Sequence, residues 1–597
     1  MKKCLYLLYT PIIIIFTLHT QIFSQQLLNN LWEDYKLYKI SPRNQSELRH
    51  DSMLELIESV RKIHPGIVRI QKVGESIEGR SINLITVGTG SKKIMMWSQM
   101  HGDEPTATAA LMDILNYIQH NPETQFVRNI LSQTTLLIIP MLNPDGAERF
   151  TRRNAQDIDI NRDAQYLQTP EGRTLKAVKD KYLPDFGFNL HDQSSRGTVG
   201  NTKKVAAISL LTPPYDYEDN DNEIKIRAKK VAATFLEAIA PLAYGYVSKY
   251  DADYMPRSFG DSMQSWGVST VLVESGGWTG LDRSVLVKIN FVGLLTTIHA
   301  IATDRYLEAN PTVYDALRRS GGHSLFDLFI SGITVVNGTG MEPFKADIGI
   351  NVSIRETDNG PVIRNGTISD FGDLTVTEGK TKIEGKNLVC IPGFIAFDPE
   401  VSPLNVSSVI NDKNLVRSGF LNVIGTMDMK NRNEVKKLSE FSGNRGYAVN
   451  FGFVGSLENF QEELNSTDKD ELIYALTRNI LGFRKPEKSN ILQNYLDWLN
   501  PRTITISEFP ETDRISSINL EEIPLFTSQM ARTLGLNNRG VIRRNAIADL
   551  LIFTIDDKYR YEKMIDFENL AYIISKGEII YMNGEFISDL NGTYISR

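Results

Sequence analysis

The chain has 597 residues, 41% of them hydrophobic and 23% charged, a soluble-globular composition spread over a length too great for one hydrophobic core. A net charge of −7, with no clustered excess of Lys and Arg, excludes a nucleic-acid-binding footprint. The two cysteines are Cys4 and Cys390, so a chain that loses its N-terminus keeps one and forms no internal disulfide.

The chain opens "MKKCLYLLYTPIIIIFTLHTQIFSQQ", two lysines before an apolar stretch from Leu5 to Leu18 and then Ser24. That is the order of an export signal spanning 1–24, which places the mature protein in the periplasm or outside the cell. No later segment reads as apolar for the ~18 residues that a membrane span needs, so no stable span is expected after signal removal.

Residues 25–92 form a lead-in, with a helical patch at 52–63 and a hairpin-like pair over "GESIEGRSINLITVG" (74–88). A strand–helix alternation then begins. "KIMMWSQ" (93–99) has the texture of a buried strand, and "PTATAALMDILNYIQH" (105–120) that of a helix with Pro105 in its first turn. "TTLLIIPML" (134–142), "DFGFNLH" (185–191) and "STVLVES" (269–275) read as further strands, with a helix over 223–242 between the last two. This alternation predicts a mainly parallel α/β sheet with helices on both faces.

Near residue 310 the texture changes to short strands punctuated by turns, at 326–340, 346–356, 366–376 and 387–394. Strands resume at 548–556 and 577–587 after a mixed stretch over 396–523. The expected domains are therefore 25–310, an α/β unit, and 323–597, a β-rich sandwich-like unit with a truncated α/β insert at 396–523.

Functional groups of an open α/β sheet gather beyond the carboxyl ends of its strands. His101 and Glu104 follow the first strand, "NPDG" (143–146) the second, His191 ends the third and Glu274 the fourth. Singly, each of these is more often an ordinary strand-end side chain than a metal ligand. An isolated carboxylate behind "TVLV" is nevertheless costly without a partner.

In this order, "HGDE" (101–104), "NPDGAERFTRRNAQDIDINRD" (143–163), "NLHD" (189–192) and "VLVESGG" (271–277) resemble the zinc carboxypeptidase family, over roughly residues 45–300. HxxE alone is a weak signal; the whole succession is a specific one. The resemblance implies one zinc per chain held by His101, Glu104 and His191, a ligand set of the carboxypeptidase A type. It further implies Glu274 as general base on the zinc-activated water and Asn161 with Arg162 as holders of a substrate's terminal carboxylate. Arg152, with its neighbour Arg153 as the alternative, would stabilise the oxyanion, and Tyr254, with Tyr250 as the alternative, would be the mobile tyrosine. One departure is Asp103, which stands where pancreatic-type members carry arginine.

The β-rich half resembles the two ends of an amidohydrolase without its barrel. "PGFIAFDPE" lacks the His-x-His pair, no histidine follows His323, and 396–523 is about half of the ~250 residues that a full barrel takes. A dead remnant is expected there. The combined expectation is an exported zinc metallocarboxypeptidase acting on peptides with a free carboxylate. The alternatives are a related-fold amide hydrolase (a deacylase of N-acyl amino acids or a cell-wall peptide hydrolase) and an idle binding protein.

Overall fold

Apolar strands alternating with helices build one eight-stranded sheet in the first part of the chain. In the computed structural model its strands are β1 (Val68–Glu75), β2 (Ser81–Val87), β3 (Lys92–Trp97), β4 (Thr134–Ile139), β5 (Phe186–Asp192), β7 (Ile208–Leu211), β8 (Val247–Lys249) and β9 (Ser269–Ser275). The short β6 (Gly197–Val199) lies outside this sheet. The spatial order is β1-β2-β4-β3-β5-β9-β7-β8.

The described residues are 30–42, 48–251, 253–279 and 284–337, then with gaps 339–456, two short strands at 483–484 and 503–504, and 516–534, 536–587 and 592–593. The export signal 1–24 and much of the insert 396–523 lie outside them. The chain divides into two units, Met1–Leu325 and Phe326–Arg597.

The expected mainly parallel sheet is corrected to a mixed one. The central strands β4, β3, β5 and β9 are parallel to one another, as is β8 to β7. Both flanks reverse direction: β2 runs antiparallel to β1 and β4, and β7 antiparallel to β9. Connection length explains this. A tight turn joins β1 to β2, closed by Ser76 N–H donating to Arg80 O at 2.9 Å and helped by Gly79 at φ +81°. Such a short link permits only an antiparallel pair, and no helix lies between β5 and β7 to carry the chain back for a parallel one.

Strand alternation sorts the core onto two faces. Ile94, Met96, Phe186, Phe188, Leu190, Val271 and Val273 point to the layer that contains helices Thr106–His120, Glu223–Ala243 and Val285–Ala302. Met95, Trp97 and Leu137 point the other way, toward Leu175 and Val178 of helix Pro170–Tyr182 and Phe259 and Met263 of helix Phe259–Ser265. Each fully buried side chain of this kind contributes roughly 1.5–3 kcal/mol. Helices thus lie on both faces.

Helix Val285–Ala302 is long and apolar enough to cross a membrane, which corrects the expectation that no later segment is. Within this unit it is a core helix: its apolar residues from Leu286 to Ala302 are almost all buried.

In the second unit the two ends of the segment meet in one sheet. Leu388–Pro392 runs antiparallel to Leu550–Thr554, which continues to Leu570–Ser575 and Glu578–Met582. On its other side stand Phe326–Val335, Phe344–Thr357 and Gly360–Gly372. Residues beyond "PGF" form short parallel strands, Phe394–Phe397, Phe420–Asp428 and Asn450–Ser456. Cys390 is buried in the sheet, and burial pushes its thiol up, away from reactivity.

Candidate metal centre and active site

The loops after β3 and β4 are zipped together before any functional side chain is placed. Ser98 N–H donates to Ile139 O (3.1 Å), Leu142 N–H to Ser98 O (3.1 Å) and Asn143 N–H to Gln99 O (2.9 Å). Asn143 caps helix Pro144–Arg149 through its Oδ1, which accepts from Gly146 N at 2.9 Å. Gly102 packs on that helix so closely that a Cβ would lie 2.0 Å from the Gly146 carbonyl carbon. The glycines of "HGDE" and "NPDG" are one contact.

This arrangement turns His101 and Glu104 inward, toward His191 at the end of β5. All three are buried, and each offers a ligand atom within 4.8 Å of the others. His101 Nδ1 lies 2.8 Å from Glu104 Oε1, His191 Nδ1 lies 2.7 Å from Oε2, and the two Nδ1 atoms are 3.1 Å apart.

Asp159 decides how these nitrogens are used. Its Oδ1 is 3.1 Å from His101 Nε2, so in neutral His101 the ring proton belongs on Nε2 and the Nδ1 lone pair faces inward. The His101 lone pair then faces the Glu104 carboxylate across a gap of hydrogen-bond size. That donor set fits a cation, and two imidazoles with one carboxylate are the ligands a hydrolytic zinc takes.

The charges of the group respond accordingly. Burial opposes a charge on His101, but the carboxylates of Asp159 and Glu104 outweigh it and push its pKa up to about 9. Burial would raise Glu104, yet the neighbouring imidazoles of His191 and His101 hold it below the usual carboxylate range. Asp192, next after His191, is pushed up to about 8 by burial and by the charges of Glu104 and Asp103. Its Oδ2 accepts from Thr106 Oγ1 at 2.7 Å.

Glu274 sits on β9 directly opposite His191 in the β5–β9 register, 8% exposed. Burial, then the charges of Glu104 and Asp192, raise its carboxyl well above the ordinary range. A carboxylate so placed binds a proton readily, as a general base must.

Arg152 reaches the same cluster: Nη1 is 3.1 Å from His101 Nδ1 and 3.3 Å from Glu104 Oε1, while Nη2 and Nε are held by Asp159. Arg153 turns away and donates to Asp157 O at 2.7 Å. Both line a surface cleft of about 350 Å³ bounded by residues 149–157, which includes none of His101, Glu104, His191 and Glu274.

Asn161 and Arg162 lie on a short 3₁₀ turn capped by Asp159, whose Oδ1 accepts from Asn161 N at 3.0 Å. Asn161 Oδ1 accepts from Phe259 N at 2.9 Å, which leaves its amide N–H₂ as the outward donor, and Arg162 Nη1 donates to Asn161 O at 2.7 Å.

The two candidate tyrosines separate. Tyr254 packs edge-on against Tyr217, with centroids 5.0 Å apart. Burial and the charge of Glu274 raise the phenol of Tyr250. The sequence reading missed the roles of Asp159, Asp192 and Gly102. The signals were present, as an acid two residues before Asn161, an acid next to His191, and a glycine inside the first motif.

The family model described as zinc carboxypeptidase matches residues 53–270 and stops four residues short of Glu274. Among curated proteins, the chain is 27% identical over 117 residues to the probable carboxypeptidase 2 of Arthroderma benhamiae, a match covering 19% of this chain and 22% of that protein. It is 23% identical over 280 residues to carboxypeptidase D of Anas platyrhynchos, covering 41% of this chain and 19% of the relative. The matches thus span about a fifth of the length of these relatives. Similar solved structures include a metallo-carboxypeptidase from Pseudomonas aeruginosa (18% identity, TM-score 0.35, 43% of this chain and 69% of that one). Another is the carboxypeptidase A of Helicoverpa armigera (16% identity, TM-score 0.34, 48% and 80%). The first unit of this chain therefore carries, over residues 53–270, a match to the zinc carboxypeptidase family.

Proposed function

We propose that this chain is an exported zinc-dependent metallocarboxypeptidase that hydrolyses the C-terminal peptide bond of its substrates. The observation that carries the reading is the convergence of His101, Glu104 and His191, with His191 facing Glu274 on the adjacent parallel strand.

One zinc would be held by His101 Nδ1, Glu104 and His191 Nδ1, and would supply Lewis-acid polarisation of the scissile carbonyl and a water acidified to near neutral pH. Glu274 takes the water's proton and later delivers it to the leaving amine. Arg152 places a guanidinium where negative charge develops on the carbonyl oxygen. Asn161 and Arg162 bind the terminal carboxylate, the planar guanidinium gripping both oxygens. Asp159 orients His101 from behind. Tyr254, or Tyr250 with its phenol raised by burial and the charge of Glu274, closes over the site in this reading.

The leader 1–24 directs export, and residues 323–597 serve as a non-catalytic, amidohydrolase-like β-sandwich module with a degenerate insert at 396–523. The absence of any histidine after His323 supports that role. N-acyl amino acids share the free carboxylate and are a second substrate class for the same groups.

The test compares N-blocked peptides with free and amidated C-termini, incubated with the purified chain with and without a chelator. Release of the terminal residue from the free acids alone, abolished by chelator, is the expected result. Equal cleavage of the amidated peptides would remove Asn161 and Arg162 from the roles given them.

A further inference from the structure

On the sheet face that carries His191 and Glu274, the preceding rung holds Trp97, Asn189 and Leu272. Register pairs Trp97 with Asn189 and Asn189 with Leu272. Alternation puts Asn189 on the same face as His191, about 6.6 Å along the strand. Helix Phe259–Ser265 covers the spot. A Cβ on Gly260 would lie 3.3 Å from both Asn189 Nδ2 and Pro213 Cγ, so the helix brings bare backbone where another residue would bring a side chain.

Asn189 is 1% exposed, yet neither its Nδ2 nor its Oδ1 has a hydrogen-bond partner among the described residues. Its surroundings share this condition. Trp97 Nε1 on the same rung and Gln264 Nε2 one helical turn beyond Gly260 are likewise buried and unpartnered among the described residues. Native interiors pair nearly all such groups, and a concentration of orphans asks for a partner beyond the described residues.

The chemistry of the set restricts that partner. It presents three N–H-bearing groups and one carbonyl acceptor, and none of the three side chains is charged. An alkyl group would leave every one of them unpaired. An ammonium or guanidinium would find no counter-charge, and a carboxylate would set its lone pairs against Asn189 Oδ1. A carboxamide offers an acceptor oxygen and an N–H₂ donor together and can pair with the Asn189 amide at both ends.

We propose that these groups form the pocket for the side chain of the released residue, and that this residue carries a carboxamide, glutamine or asparagine. The proposal rests on the carboxypeptidase reading. Phe259 N–H is bonded to Asn161 Oδ1 at 2.9 Å, so the helix that roofs the pocket is tied to the residue that holds the terminal carboxylate. One substrate residue is then read at two ends by neighbouring groups.

The experiment uses the zinc-loaded full chain and N-blocked dipeptides identical except for a C-terminal Gln, Asn, Leu, Glu or Lys. The Gln and Asn peptides should exceed the other three about tenfold or more in kcat/KM, because a pocket built to pair buried polar groups rejects residues that leave them unpaired. Asn189→Leu should reverse the order in favour of Leu with zinc content retained. Gly260→Ala, compatible with a helix and filling the spot, should raise KM for the Gln and Asn peptides more than it lowers kcat. Preference for the Leu, Glu or Lys peptide in the wild type, or an unchanged order in Asn189→Leu, overturns the pocket. Release of no residue from any peptide by the zinc-loaded chain sinks the peptidase reading and this proposal with it.

Discussion

Replacing Glu274 by Gln keeps the size and hydrogen-bonding reach of the side chain and removes only its ability to accept a proton. Glu274 is 8% exposed and faces His191 across one rung, and it is absent from the metal-binding group of His101, Glu104 and His191. Zinc should therefore stay bound while kcat falls on the order of 10²–10⁴, the usual contribution of a positioned base. At about 1.4 kcal/mol per tenfold, the barrier rises by roughly 3–5 kcal/mol. KM should change little, because no substrate-holding group is touched. The same substitution has a stability signature of opposite sense. The folded-state pKa of Glu274 is raised by burial and by the charges of Glu104 and Asp192, so ionising it opposes folding above the ordinary carboxylate range. Metal-free Glu274→Gln should then melt higher than metal-free wild type at pH 7, and the difference should shrink as pH falls toward 4. Steady-state hydrolysis of an N-blocked dipeptide, elemental analysis of zinc and thermal melts read all three quantities. Activity within a few-fold of wild type with zinc in place would refute the assignment of the base.

His101→Ala and His191→Ala should each abolish tight zinc binding, and full occupancy by elemental analysis of the double variant would discard the ligand set. Asp159→Asn should weaken zinc affinity about 10–100-fold by releasing His101 from its orienting partner, measured by competition with a chromophoric chelator. In metal-free protein His101 titrates near 9, above its unfolded value of 6.5, so its contribution to stability is complete below pH 6.5 and lost as pH rises through 9. Melting temperatures between pH 6 and 10 should show that decline, and Asp159→Asn should reduce it. Arg152→Ala should cost about 10²–10³ in kcat while Arg153→Ala stays within a few-fold, since only the former guanidinium reaches the cluster.

The metal-binding residues were legible because their positions were. His101, Glu104, His191 and Glu274 each follow or end an apolar run, and parallel strands bring such ends together whatever the details of the loops. Asp159 was not, since "DIDINRD" holds three acids and only the fold shows which one meets an imidazole. Asn189 reads as one polar residue in a strand until its lack of partners is seen. The flanking strands β7 and β8, four and three residues long, carry too little pattern to be recognised, so the reversal at that edge stayed hidden. Lys288, Asn290 and His299 interrupt the apolar run of helix Val285–Ala302, so its span-like length shows only in the folded helix.

The contact between Gly102 and Gly146 gives the metal loop no slack. Main chain rests on main chain, so the loop bearing His101 and Glu104 cannot shift unless the helix behind Asn143 shifts with it. Its conformational entropy is surrendered when the sheet folds rather than when a ligand arrives. Stripping the metal should accordingly leave amide-exchange protection around residues 98–104 and 143–147 almost unchanged. Even an alanine at Gly102, which touches no ligand atom, would act as a wedge prising the two loops, and with them the jaws of the site, apart.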